Sequence, residues 1–274
     1  MTTDTPRGSV DPHAAGMALF DAEGTRHLES LYLTPDVVAH RARVLDWLRP
    51  APGERVLDVG CGPGLLAQGL AARTGAAGRV CGIDASPAMV QAARARCSHL
   101  PHAAFEAGDA QSLPFGQGVF DALVCTQVLE YVPDPALALA EFARVLRRGG
   151  RLVVMDTDWE SCVWHSGDDV RMRRVLGAWD AHCPHPHLPR RLGPLLGRAG
   201  FALQRVEVLP LVNAGRRENT YSLGMMAVLA RFALGEGGMA EADVRAWADE
   251  QAALSARGEY FFSLDRHVFI ATRS

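Results

Sequence analysis

The sequence predicts an α/β domain, a parallel sheet with helices on both faces, and three observations carry the prediction. Short apolar strand patterns alternate with helical ones five times between residues 50 and 157. The strand patterns are continuous apolar runs rather than alternating ones, which suits strands buried on both faces. The first of them, 56–59, runs into the glycine-rich turn Gly60-Cys61-Gly62-Pro63-Gly64, which opens a helix. Such a strand, turn and helix form a seat for a nucleotide-like ligand, because glycine permits close backbone approach and the first N–H groups of a helix have no partner within it.

Taken in order, residues 1–15 read as a polar tail, and 16–49 as helices that cap the domain, with Phe20, His27, Leu28, Leu31 and Tyr32 in the first amphipathic stretch. Thr34-Pro35-Asp36 starts a helix with Thr34 as N-cap and proline in the first turn. Its inward stripe, Val37, Val44 and Leu48, also contains Arg41, an arginine that either snorkels outward or meets an anion. Residues 50–157 form the core. Helices are expected over 65–72, from Ser86-Pro87 to about residue 97, and from Asp134-Pro135 to Leu146; strands are expected over 79–84, 104–109, 120–125 and 151–156. Residues 158–200 and 212–256 read as insertions, the first irregular up to a helix at 189–198. The strands 201–211 and 267–272 have no helix-length crossover left between them and the edge, so they form an antiparallel pair there. The whole of 16–274 is then one domain with a seven-stranded sheet, five strands parallel.

Composition narrows the function. Hydrophobic residues make up 48% and charged residues 22%, an ordinary globular balance, and the net charge of -3 lacks the basic surplus of a nucleic-acid binder. All 28 basic residues are arginine; without lysine there is neither a phosphate loop ending in Gly-Lys-Ser/Thr nor Schiff-base chemistry. The six cysteines show no paired spacing, and neither a signal peptide nor a membrane-spanning apolar run is evident, so a cytoplasmic protein is expected. A homodimer is compatible with these features. The cluster Cys183-x-His185-x-His187, with Cys162 and His165, fits no common zinc spacing, and no metal is expected.

The turn reads Gly-x-Gly-x-Gly, with Leu65 where a dinucleotide fold places its third glycine under a pyrophosphate. A ligand without a pyrophosphate does not need that glycine. Asp84 ends the second strand pattern, where a carboxylate can accept from both ribose hydroxyls, and Asp109 ends the third, where it can accept from an exocyclic amine.

The strings Val-Leu-Asp-Val-Gly-Cys-Gly-Pro-Gly (56–64), Gly-Ile-Asp-Ala-Ser (82–86), Gly-Asp-Ala-Gln-Ser-Leu-Pro-Phe (108–115), Phe-Asp-Ala-Leu-Val (120–124) and Leu-Arg-Arg-Gly-Gly-Arg-Leu (146–152) resemble those of the class I S-adenosylmethionine-dependent methyltransferases, of the ubiquinone/menaquinone-biosynthesis type. The resemblance covers roughly residues 35–157. It implies a Rossmann-like methyltransferase sheet with S-adenosyl-L-methionine as cofactor. Gly60, Gly62 and Gly64 would carry its methionine part, Asp84 and Ala85 its ribose, Asp109 and Ala110 its adenine, with Gln127 near the sulfonium. Arg41 would meet its carboxylate. Where relatives commonly carry a histidine, this chain has Glu130-Tyr131-Val132.

The expected reaction is methyl transfer to a small-molecule acceptor through oxygen, nitrogen or carbon. Alignment and a dry site matter most in such a displacement, with a base where a hydroxyl must be activated. The catalytic candidates are His165, Asp158 and Tyr32; Asp156, His182, His185 and His187 are further bases, and Trp159 and Trp164 further aromatic walls for a planar acceptor or the sulfonium. Tyr221, Met225 and Met226 fit the core face of a lid helix better than a substrate box. The alternative reading is a protein of the same fold that keeps the cofactor and catalyses another reaction, such as a cyclisation. A nucleic-acid or protein acceptor is disfavoured by charge.

Overall fold

A computed structural model describes residues 28–215, 218–235 and 237–274. The expected tail at 1–15, and Phe20 and His27 of the first cap stretch, lie outside the described residues. Five parallel strands, β1 (Arg55–Val59), β2 (Arg79–Asp84), β3 (Ala103–Ala107), β4 (Phe120–Thr126) and β5 (Leu146–Thr157), lie in the order β3-β2-β1-β4-β5. The chain builds outward from β1 to β3, then returns to place β4 on the other side of β1. That reversal opens a crevice beyond the carboxyl ends of β1 and β4, where ligands of open α/β sheets bind.

The strand β8 (Phe261–Arg273) runs antiparallel to β5, and β7 (Phe201–Ala214) pairs with its other edge along its whole length. An eighth strand, β6 (Val163–Trp164), pairs with β8 beyond the end of β5, so β5 and β6 lie end to end along one edge of β8. The strand count therefore exceeds the expected seven by one. Pro210 sits in β7, the sheet's outer edge, where a missing N–H costs no ladder bond.

Strand residues alternate between two apolar layers. Val56, Val80, Val124 and Val153 pack on one face with α1 (Pro35–Leu48), α2 (Leu65–Thr74) and α3 (Pro87–Arg96). Leu57, Ile83, Leu123 and Val154 pack on the other with α4 (Pro135–Val145) and α6 (Pro189–Arg198). Helix starts follow the capping residues: the Asp134 carboxylate accepts from the N–H of Ala136 and Leu137, and the Ser86 hydroxyl from that of Met89. Thr34 occupies the N-cap position of α1, but its hydroxyl donates back to the carbonyl of Leu31 (2.8 Å).

A third apolar cluster lies above the carboxyl ends of the parallel strands and joins Leu28 and Leu31 to the insertions. Residues 158–188, expected to be irregular, contain the helix α5 (Asp169–Trp179), capped by Asp168 on the Arg171 N–H (2.9 Å) and burying Met172, Val175 and Trp179 along one stripe. The second insertion folds into α7 (Tyr221–Leu234) and α8 (Glu241–Ala256). The helix α4 stops at Val145, one residue short of the expected Leu146, which already pairs with Phe120 across a bulge into β5.

Candidate functional site

Gly60, Gly62 and Gly64 all take positive φ, so the turn after β1 is closed by main chain. A Cβ on Gly60 would stand 2.0 Å from Cγ2 of Val128, which leaves no room for any other residue. A Cβ on Gly62 would meet no protein atom within 4 Å, and this residue forms part of a cleft wall. The turn's backbone reaches the next strand end: the Gly62 N–H donates to Oδ2 of Asp84 (2.8 Å) and the Ser86 N–H to its Oδ1 (2.9 Å). Burial raises the Asp84 carboxyl above its ordinary value and these two N–H groups pull it down, with a net rise. Each oxygen keeps a lone pair for a further donor. Beneath the turn, Asp58 is fully buried and pushed up to about 7 by burial and by Asp84.

The cleft encloses about 950 Å³, part of it open to solvent, with Tyr32, Arg41, Asp84, Ala85, Gln127 and Arg266 among its walls. Gln127 holds φ 58°, a left-handed conformation unusual outside glycine. Its N–H donates to the Met155 carbonyl (2.7 Å) and its Oε1 accepts from the Thr157 hydroxyl (2.8 Å), while Nε2 is buried with no partner among the described residues. Arg41 donates to the backbone carbonyl of Tyr32, and both burial and the charge of Arg266 lower its pKa. His40 is buried and falls to about 4, first through burial and then through Arg266, so it is neutral.

A second cavity of about 460 Å³ adjoins the cleft and shares Tyr32, Gln127, Tyr131 and Arg266 with it. Its remaining walls include Glu130, Trp159, Trp179, Tyr221 and Met225. The Trp159 indole donates to the Glu130 carboxyl (3.0 Å), yet burial pushes Glu130 up to about 8, so it is mostly protonated at neutral pH. The neighbouring Asp156, fully buried, is raised by burial and by Glu130 and accepts from the Val128 N–H (3.0 Å). His182 stacks on Trp179 (3.9 Å between centroids), contacts Trp159 edge-on, and is held neutral by burial, down to about 3.

Of the expected site residues, the structure gathers Tyr32, Arg41, Gly60, Gly62, Asp84, Ala85 and Gln127 around one cleft. Gly64 packs against Ala93 behind the turn, Ala110 is buried in the core, and Asp109 is exposed, its Oδ1 taking the Gln111 N–H (2.8 Å). His165 is exposed beside β6, and it lines neither cavity. Asp158 also lies outside both cavity walls. Its carboxylate is held by Arg190 (2.7 Å) and His187 (3.2 Å), and although burial raises it, these partners leave it below its ordinary value. Trp159 lines the second cavity, whereas Trp164 packs on Phe262 and Trp247. Tyr221 and Met225 are both buried in the cap core and part of that cavity's wall. His185 contacts the Pro133 carbonyl (3.2 Å), and among the described residues no three His, Cys, Asp or Glu side chains form a group that could hold a metal. Sequence reasoning missed His40, Trp179 and Arg266, and met Glu130 and Tyr131 only as a departure from a family pattern. The helical stripe Met172-Val175-Trp179 could have flagged Trp179; Arg266 sits in a strand pattern with no local signal.

A family model described as a methyltransferase domain matches residues 57–154. An uncharacterized 37.1 kDa protein of a transposon of Streptomyces fradiae is 35% identical over 246 residues, covering 89% of this chain and 70% of that protein. The chain belongs to the S-adenosylmethionine-dependent methyltransferases. Its cofactor is S-adenosylmethionine. A ubiquinone biosynthesis O-methyltransferase of Alkalilimnicola ehrlichii is 38% identical over 160 residues, which is 55% of this methyltransferase and 62% of that protein. A putative methyltransferase of Bacillus halodurans shares the fold at 20% identity and a TM-score of 0.62, covering 86% of this chain and 99% of that one. The [4+2]-cyclase SpnF shares it at 24% identity and a TM-score of 0.56, covering 86% of this chain and 80% of that one. Among the described residues no helix is long and apolar enough to cross a membrane.

The residues present fit the cofactor: Gly62 leaves open space where a side chain would stand, Asp84 is aimed by two backbone donors, and Gln127 Nε2 and Arg41 supply donors in the cleft wall.

Proposed function

We propose that this methyltransferase methylates a small planar acceptor seated in the aromatic cavity between Tyr32, Glu130, Trp159, Trp179 and Tyr221. The observation that carries the reading is the continuity of that cavity with the cofactor cleft through Tyr32, Gln127, Tyr131 and Arg266. Flat aromatic walls suit a flat acceptor, and a relative 38% identical over 160 residues is a ubiquinone biosynthesis O-methyltransferase. The net charge of -3 and six free thiols fit a small-molecule enzyme of a reducing cytoplasm.

S-adenosylmethionine supplies a methyl group on a sulfonium, which a nucleophile displaces in line. In this reading Asp84 accepts from the ribose hydroxyls, Arg41 meets the carboxylate, and Asp109 with Ala110 flanks the adenine. Gln127 donates from Nε2 at the junction of the two cavities. The cap helices exclude water, which strengthens every polar contact inside. Among the described residues no cavity-lining group is a strong base at neutral pH: burial raises Tyr32, and Glu130 holds its proton to about 8. Tyr32 and Glu130 therefore serve as hydrogen-bond donors, and the acceptor brings its own acidity. With the cofactor bound, the acceptor's carbon, oxygen or nitrogen would form the new bond to the methyl carbon as the carbon–sulfur bond breaks, and its proton would pass to solvent.

The test is incubation with S-adenosylmethionine and a panel of phenols, hydroquinones and naphthoquinols, with S-adenosylhomocysteine and methylated product both quantified. The reading expects the two in equal amounts with at least one panel member. Consumption of a panel compound without S-adenosylhomocysteine would instead indicate a non-methylating reaction such as a cyclisation.

A further inference from the structure

Arg266 lies on β8 opposite Thr157 of β5, at the sheet end where the cleft opens. It is 3% exposed, and its Nε is buried with no hydrogen-bond partner among the described residues. Among the described residues no carboxylate forms an ion pair with it. Its guanidinium lies over the Tyr221 ring at 5.0 Å and engages the Tyr221 hydroxyl. Glu130 is close enough to feel its charge, but does not pair with it. An arginine does not shed its proton, and a buried charge without a counter-ion is costly. Arg41, the other guanidinium of the cleft, also lacks a carboxylate partner among the described residues, and Arg266 repels it. Two cations thus face a space in which the cofactor brings one carboxylate. Only Arg266 of the two also lines the aromatic cavity, together with the unpaired Nε2 of Gln127.

We propose that Arg266 and Gln127 bind an anionic oxygen of the acceptor, so that the substrate class is an aromatic acid: a planar ring bearing a carboxylate or an ionised hydroxyl. The proposal rests on the reading of the second cavity as the acceptor site. The anion anchors the ring against Trp159 and Tyr221 and fixes which edge faces the cleft. It also completes the charge balance that the folded chain leaves open at Arg266.

The experiment is calorimetric titration of the full chain, saturated with S-adenosylhomocysteine, with two matched pairs: 4-hydroxybenzoate against 4-hydroxybenzamide, and 2,4-dinitrophenolate against 2,4-dinitroanisole. Each pair keeps the ring and removes the anion, by an amide in the first and by a methyl ether in the second, so the first pair reports a carboxylate and the second an ionised hydroxyl. In at least one pair the anion is expected to bind at least about 30-fold more tightly than its neutral partner, the loss typical of an unpaired buried charge. Arg266→Met should abolish that preference while S-adenosylhomocysteine affinity stays within about threefold, since it removes a charge with no carboxylate counter-ion among the described residues. Equal binding of anion and neutral partner, or binding of neither anion to a protein that binds S-adenosylhomocysteine normally, overturns the proposal and leaves the methyltransferase reading standing. Loss of S-adenosylhomocysteine affinity in Arg266→Met overturns it too, by assigning Arg266 to the cofactor carboxylate. Should that variant fail to fold, the wild-type pairs decide alone. Failure of S-adenosylhomocysteine to bind wild type contradicts the cofactor reading instead.

Discussion

In the proposed reading, the donor side of the cleft is built mostly of main chain, and the acceptor side mostly of side chains brought from far along the sequence. On the donor side, a turn of three positive-φ glycines and two backbone N–H groups aim one carboxylate, all within residues 60–86. On the acceptor side, Tyr32, Glu130, Trp159, Trp179, Tyr221 and Arg266 converge from both ends of the chain. The donor side answers to a fixed ligand and leaves little freedom of residue type. The acceptor side can change its chemistry by side-chain replacement while the sheet stays the same.

The largest effect that would sharpen this contrast is expected at Gly60. Gly60→Ala places a methyl group against Val128 at a positive φ, and a loss of roughly 2–5 kcal/mol is expected from strain and overpacking together. Chemical denaturation measures it, and a variant as stable as wild type would show that the turn tolerates side chains after all.

Next comes Glu130→Gln. The folded carboxyl titrates near 8 against an ordinary value of 4.5, so between those pH values the native state holds the proton that the unfolded chain releases. Wild-type stability due to this group therefore falls as pH rises from about 4.5 to 8. The glutamine variant, which cannot ionise, should gain about 3 kcal/mol relative to wild type between pH 5.5 and pH 8. A difference that does not change over that window would show that Glu130 is ionised in the folded protein.

Trp159→Phe removes the indole donor from Glu130 and leaves a buried carboxyl short of a partner, at a cost of about 1–3 kcal/mol. Its acceptor KM should rise while S-adenosylhomocysteine affinity holds, and equal loss of both would erase the division between the two sides. The smallest effects are expected where sequence reasoning placed catalysis. His165→Ala and Asp158→Asn should each leave kcat/KM within about threefold of wild type, because neither side chain lines a cavity. A hundredfold loss in either would return a base to the mechanism.

The same contrast governs what could be read in the sequence. The parallel core was legible because each buried strand is a continuous apolar run, and the donor site because Gly60, Gly62 and Asp84 lie in short strings whose spacing is set by a strand, a turn and the next strand end. Asp84 could be assigned a task from its position alone. Arg266 could not, since it lies in a strand pattern 182 residues further on and acquires its meaning only when β8 pairs with β5. His165 and Asp158 attracted attention as titratable residues after the core. The fold turns one to solvent and ties the other to Arg190, outcomes set by contacts over long sequence separation. The helix α5 was hidden by a His- and Asp-rich composition, although its buried stripe has helical spacing.

The central claim is that Asp84, aimed by Gly62 and Ser86, holds the ribose of S-adenosylmethionine in the cleft. Calorimetric titration of S-adenosylhomocysteine into wild type and Asp84→Ala tests it most directly. Saturable binding to wild type and at least about a 30-fold loss in the variant are predicted from two charge-assisted hydrogen bonds. Unchanged affinity in Asp84→Ala, or no binding to wild type at millimolar ligand, would contradict it.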